Sequence, residues 1–206
     1  ATNNPRKMGM LPALSITQGG FTGAFFPINP REDSVLGIKA YKSVSDLPET
    51  PDLGILIVPT ENVIGVVDEF GRKGTRNLII VSAGFRELGA DGKMLEERLK
   101  ETAANHSIRF IGPNCLGVIN SEIGLNTSGM SADETPGSLG LLSHSGTYVA
   151  QIHDYLHKRG VRFSKAISLG NEANIDMIEA LEFLGDDEQT RAIALYMEGV
   201  GDGRRF

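Results

Sequence analysis

With one cysteine, Cys115, in 206 residues, the chain cannot build an internal disulfide framework. Its folding has to rest on a hydrophobic core, and a reducing, cytoplasmic setting is expected. No apolar run approaches the roughly twenty residues that cross a bilayer. The opening residues 1–7 lack the apolar stretch of a signal peptide. A membrane partner is therefore not expected. Positive charge is also scarce: the formal net charge is −6 and the lysines and arginines are scattered. That argues against a nucleic-acid partner, which needs a clustered basic face, so any phosphate must be held locally. The chain lacks an initiator methionine, and residues 201–206 show neither tail nor cap. Both ends are expected to be cuts from something longer.

Two phosphate fingerprints are missing as well. Nothing matches G-x-G-x-x-G after a strand, so a dinucleotide site is not indicated, and no lysine follows a glycine in the G-x-x-x-x-G-K-[ST] manner. What is present is an α/β rhythm. Short apolar runs, each followed by a Gly, Pro or Ser loop and an amphipathic stretch, predict strands at 24–29, 53–58, 77–81, 109–111, 118–119, 139–142, 165–168 and 192–197. Helices are predicted at 8–18, 61–72 with Thr60 as N-cap, 93–105, 147–159 and 176–184. The polar stretch 121–137 reads as a connection, dividing a first unit, 1–120, from a second, 138–206. Two successive Rossmann-type or flavodoxin-like units with mainly parallel sheets are the simplest architecture, and ligands then belong beyond the carboxyl ends of the strands.

In the first unit those strand-end loops contain Thr2, Asn3, Asn4 and Pro5, then Asn29-Pro30, Val58-Pro59, Ser82-Ala83-Gly84 and Gly112-Pro113-Asn114-Cys115. Such small or Pro-stiffened loops let a nucleotide-like ligand approach free amides, although turns in any α/β protein favour the same residues. In the second unit, an apolar strand runs into Ser143-His144-Ser145-Gly146-Thr147, after which a helix begins. Amides, hydroxyls and a positive helix end would converge there on an anion, or the hydroxyls would act only as caps. Gly170-Asn171 and Glu198 close the next two strands. A carboxylate beside a phosphate cradle needs a proton-bearing group between them, and histidine suits that role. Of the four histidines, His106 sits at a helix exit, and His153 and His157 have metal-like i, i+4 spacing without a third ligand. His144 lies inside the cradle. Cys115 reads as a small buried loop residue rather than a nucleophile.

The ordered set 112–117, 143–147, 168–171, Asp187-Glu188-Gln189-Thr190 and 193–199, with Asn29-Pro30, Val58-Pro59 and 82–87 upstream, closely resembles the NDP-forming acyl-CoA synthetases. The α subunits of succinyl-CoA synthetases are more distant relatives. The resemblance implies a Rossmann-like CoA-binding domain lacking its first strand, with residues 1–5 as the loop after it, and then a flavodoxin-like ligase domain. It implies that 143–147 cradles phosphate or phosphohistidine, and that Glu198 is the glutamate steadying a histidine beyond Phe206. It implies ATP and magnesium on a separate ATP-grasp domain or β subunit, a small carboxylic acid substrate and an oligomer. The family more often carries Gln at the position of His144. The implied chemistry runs from ATP to phosphohistidine, to acyl phosphate, to thioester, and the chain alone is expected to be inactive. A CoA-binding regulatory module of an acetyltransferase-type protein is the alternative.

Overall fold

A computed structural model of the protein describes residues 1–130 and 135–206. The first sheet has the order β3-β4-β5, built from β3 (Gly54–Leu56), β4 (Asn77–Ile80) and β5 (Arg109–Ile111), all parallel. Between these strands run α2 (Thr60–Lys73) and α3 (Ala90–Asn105). Helix α2 forms because Val63, Val67 and Phe70 recur on one face, where they are buried. It ends at Gly74, whose φ of 106° is left-handed and whose amide returns to Phe70 and Gly71. Arg72 and Lys73 in the last turn complement the dipole. Its N-cap is Pro59 rather than Thr60; the Thr60 hydroxyl instead donates to Ala83 O across 2.6 Å, tying the β3 and β4 exits together.

The expected strand at 24–29 does not form. Only Ile28 bridges, to Tyr41, and Pro27 contributes no N–H to a ladder. Its neighbourhood holds a hairpin that the apolar pattern does not suggest: β1 (Ser34–Val35) and β2 (Ile38–Lys39), joined by Leu36 and Gly37 at φ 52° and 78°. Two positive φ values are what a twisted two-residue turn demands. The helix expected at 8–18 is α1 (Met10–Gln18).

The second sheet has the order β10-β8-β9-β6-β7. Strands β8 (Leu139–Ser143), β9 (Phe163–Ser168) and β10 (Ala192–Tyr196) are parallel, while β6 (Val118–Asn120) and β7 (Leu125–Asn126) run antiparallel. Strand β7 lies in the stretch expected to be a plain connection, of which 131–134 fall outside the described residues. Strand β9 is buried at every position, as a central strand covered on both faces must be. Helix α4 (Gly146–His157) covers one face through Val149 against Leu141 and Phe163; α5 (Met177–Asp186) covers the other through Met177 and Leu184 against Leu142 and Ile167. Consecutive leucines on β8 thus serve opposite cores, as a pleat of period two requires. The α/β class with mainly parallel sheets is as the sequence predicts.

The two sheets are knitted along one seam. Residues 169–175 run beside 110–117, with Asn171 N donating to Pro113 O (2.9 Å), Ala173 N to Gly112 O (3.0 Å) and Ile175 N to Phe110 O (3.2 Å). Leu116 N donates to Ser168 Oγ (3.0 Å) and Ser168 N to Gly117 O (3.0 Å). Gly170, at φ 59°, makes this approach possible, since a Cβ there would lie 2.3 Å from Pro113 O.

Candidate functional site

Because β3, β4 and β5 of the first sheet are parallel, as are β8, β9 and β10 of the second, the carboxyl ends of each set share an edge, and the seam brings both edges to one cleft of about 880 Å³. From the first unit come Arg86, Glu87, Lys93, Asn114, Cys115 and Leu116. The second contributes 144–147, Gly170, Asn171 and Glu198. A cleft of this size suits a small ligand with a few convergent polar groups.

Residues 143–147 carry the chain from β8 into α4. Ser145 is the N-cap of α4, its hydroxyl accepting from Tyr148 N at 3.2 Å. The amides of Gly146 and Thr147 begin the helix and have no carbonyl one turn back to bond. Gly146 lies against the first unit, since a Cβ there would come within 2.9 Å of Leu116 Cβ. Ser143 is wholly buried and donates to Ser145 O, so it shapes the loop rather than facing the cleft.

His144 is also buried. Its Nδ1 accepts from Glu198 N at 2.9 Å, and its Nε2 lies 2.9 Å from Glu172 Oε1 but out of line for a good hydrogen bond. Glu198 itself is exposed at the rim. Sequence reasoning misses Glu172, stopping one residue short at Asn171. Arg86 and Lys93, the two cations of the cleft, carry no motif of their own, although Arg86 stands inside the 82–87 segment.

Asn171 joins the units. Its Nδ2 donates to Glu87 Oε2 (2.6 Å) and Glu96 Oε2 (2.9 Å), and its Oδ1 lies 3.3 Å from Asn114 Nδ2. Glu96 is buried, with Arg86 Nε at 3.8 Å. Burial pushes the Glu87 carboxyl upward, but donors from Asn171 and the Gly84 and Phe85 amides outweigh it and hold it below the ordinary glutamate range. A depressed pKa contributes stability above the unfolded value and loses it as pH falls through the folded one. Melting between pH 7 and about 3 should therefore lose stability on the acid side, and Glu87→Gln should flatten that slope. An unchanged slope would remove Glu87 from the account.

The remaining first-unit loops form two groups. Ser82 Oγ donates to Val58 O (2.7 Å) and accepts from Val58 N (3.0 Å), while Asn114 N donates to Ser82 O (2.9 Å). Pro59, Ala83 and Gly84 lie in the same knot, through Thr60 and Glu87. The other group gathers round Glu32. Its carboxylate accepts from Thr2 Oγ1 (2.7 Å), Asn3 N (3.1 Å), Asn29 Nδ2 (3.0 Å) and Asn3 Nδ2. These bonds, that of Thr2 first, hold its pKa down. Asn4 N donates to Thr2 Oγ1, and the exposed Pro5 and Pro30 make the turns beside them. Neither Thr2 nor Asn29 lines the cleft.

Cys115 is buried, its Sγ donating to Ile80 O at 3.3 Å, and burial pushes the thiol up to about 12, which removes it as a nucleophile. His106 does more than sit at a helix exit: its Nε2 lies 2.7 Å from Asp68 Oδ1 on α2. His153 stacks on Phe163 at 4.8 Å. Among the described residues no group of three or more His, Cys, Asp or Glu could hold a metal ion, and no helix is long and apolar enough to cross a membrane.

Residues 1–121 match the family model described as CoA binding domain, and 136–206 match succinyl-CoA ligase like flavodoxin domain. The α subunit of acetate–CoA ligase [ADP-forming] II of Pyrococcus furiosus is 41% identical over all of the chain, which covers 45% of that protein. Acetate–CoA ligase [ADP-forming] I of Archaeoglobus fulgidus is 41% identical over 90% of the chain and 27% of its own length. Acetyl-coenzyme A synthetase 1 of Ca. Korarchaeum cryptofilum, solved in complex with phosphate and ADP, superposes on 99% of the chain and 44% of that protein, with a TM-score of 0.94 and 32% identity. The chain thus spans less than half the length of each of these relatives.

Proposed function

Since the chain belongs to the NDP-forming acyl-CoA synthetase family, joining a CoA binding domain to a succinyl-CoA ligase like flavodoxin domain, we propose that it is the CoA-binding and phosphate-handling part of such an enzyme. A phosphoryl group passes from ATP to a histidine as ADP leaves, and from the histidine to a small carboxylic acid, giving an acyl phosphate. The thiolate of CoA then attacks the acyl carbon and phosphate departs. ATP and magnesium belong to an ATP-grasp domain or β subunit that meets this chain at the cleft.

The observation that carries this reading is the convergence of Asn114–Cys115–Leu116 with the start of α4 in one cleft. A thiol and an acyl phosphate have to meet, and these two loops come from different units. The α4 amides and Thr147 hold the phosphoryl oxygens, Arg86 and Lys93 offset their charge, and the Glu198 carboxylate orients the imidazole that carries the phosphoryl group. His106 pairs with Asp68, and His153 and His157 stack on each other along α4; none of the three lines the cleft, so in this reading that imidazole is none of them. The donors of Thr2, Asn3 and Asn29 already face Glu32. In this reading a CoA phosphate takes them only by replacing that carboxylate.

Replacing Ser145 and Thr147 together by leucine fills the mouth of the cradle and removes the cap, which costs about 1 kcal/mol of stability. Phosphate affinity should fall by tenfold or more, about 1.4 kcal/mol, while the fold persists by circular dichroism. Unchanged phosphate affinity in the folded variant would count against the cradle.

A further inference from the structure

The pairing of edge strand β10 with β8 ends at Tyr196 opposite Ser143, two residues before Glu198. Beyond it, Gly199 and Gly201 have open space where a side chain would be. No ladder therefore fixes the main chain that presents the Glu198 carboxylate. Two bonds from a single residue do so: His144 N donates to Tyr196 O at 3.2 Å, and His144 Nδ1 accepts from Glu198 N at 2.9 Å.

Accepting an N–H requires a lone pair on Nδ1, so the neutral ring carries its proton on Nε2. Nε2 lies 2.9 Å from Glu172 Oε1, whose negative charge favours a proton on that nitrogen even though the two are out of line for a good hydrogen bond. Glu172 is itself held, because its Oε1 also accepts from Met177 N at the start of α5, and its backbone sits at φ 52° in the turn after β9. His144 thus ties the exits of β8, β9 and β10 through one buried ring.

We infer that His144 is a positioning residue, not a phosphoryl carrier: with Glu172 fixing its tautomer, it anchors the Glu198 main chain so that the carboxylate stays at the cleft. This rests on the proposed reaction for its consequence, but not for its geometry. A phosphoryl group on Nδ1 would break the Glu198 bond, and one on Nε2 would face the Glu172 carboxylate.

Two readouts separate the geometry from the reaction. In the chain itself, nitrogen-detected NMR should find Nδ1 of His144 unprotonated, Nε2 protonated, and a scalar coupling across the Glu198 N–H···Nδ1 bond. A proton on Nδ1 would overturn the inference whatever the enzyme does. In the intact synthetase with its ATP-grasp portion, His144→Leu should lower kcat about tenfold, the worth of roughly one such bond, with KM for CoA unchanged. His144→Gln, whose amide oxygen can accept from Glu198 N, should recover most of that loss. Equal kcat in H144L and the parent, or equal losses in H144L and H144Q, would sink the positioning role. Acid-labile phosphate on His144 would do so too. If H144L does not fold, Glu172→Leu should shift the tautomer balance by NMR, and an unchanged balance would overturn the role of Glu172. A parent enzyme without synthetase activity would refute the proposed function and leave the NMR result standing.

Discussion

Gly170→Ala should part the two units at their seam and abolish phosphate binding at the cleft. An alanine Cβ at this position would lie 2.3 Å from Pro113 O, 2.5 Å from Asn114 O and 2.7 Å from Asn114 C, all backbone atoms that no rotamer change can move. The φ of 59° adds a smaller strain, since a left-handed alanine costs about 1 kcal/mol. Relief requires the 168–171 turn to withdraw from 113–114, which breaks the Asn171 N to Pro113 O bond and pulls Asn171 away from Glu87 and Glu96. The expected loss is about 3 kcal/mol, or a melting point lower by roughly 6–12 °C for a chain of this size. Gly185 makes the control. It lies in α5, where an added Cβ would meet nothing within 4 Å, so alanine there should be neutral or slightly stabilising. A G170A variant that melts like the parent and still binds phosphate would mean that the seam does not shape the site.

The two units differ in how far their sequence can be read, for physical reasons. The second is legible because its signals agree. A β8 run of apolar residues ends in hydroxyls, the Ser145 cap follows, and Val149, Ile152 and Leu156 recur at helical spacing. Local propensity and burial point the same way there. The 24–29 run misleads because apolar residues make a strand only if a neighbour supplies the ladder, and Tyr41 alone does so. The hairpin at 34–39 is invisible because two-residue strands carry no period, and its turn uses leucine where glycine or asparagine is usual. Thr60 is a reasonable cap by residue type, but its hydroxyl finds a better acceptor in Ala83 O.

Within the site, single motifs point to individual loops and miss what those loops do to each other. Residues 144–147 and 114–116 both line the cleft. That His144 turns to the Glu198 main chain, and that Asn171 bridges Glu87 and Glu96, depends on contacts between residues 54 and 75–84 positions apart. Spacing arguments reach a few residues along a helix or strand, and such pairings lie outside them. Glu32 shows the same limit in reverse. By sequence Thr2, Asn3 and Asn29 are donors awaiting a ligand, and the fold supplies them with a carboxylate instead.

The central claim is that this chain recognises CoA, and titration of CoA into it by calorimetry, beside NAD as the competing nucleotide, tests that most directly. The loops lack the full G-x-G-x-x-G dinucleotide fingerprint. Asn114, Cys115 and Leu116 open instead onto a cleft shared with the phosphate cradle. Glu32→Gln, by removing the negative charge from the Thr2–Asn3–Asn29 donors, should strengthen CoA binding in the same titration. The account predicts saturable heat with CoA at one site per chain, none with NAD, and no displacement of CoA by NAD. Preferential binding of NAD, or no heat with CoA for either the parent or the Glu32→Gln chain, would contradict it.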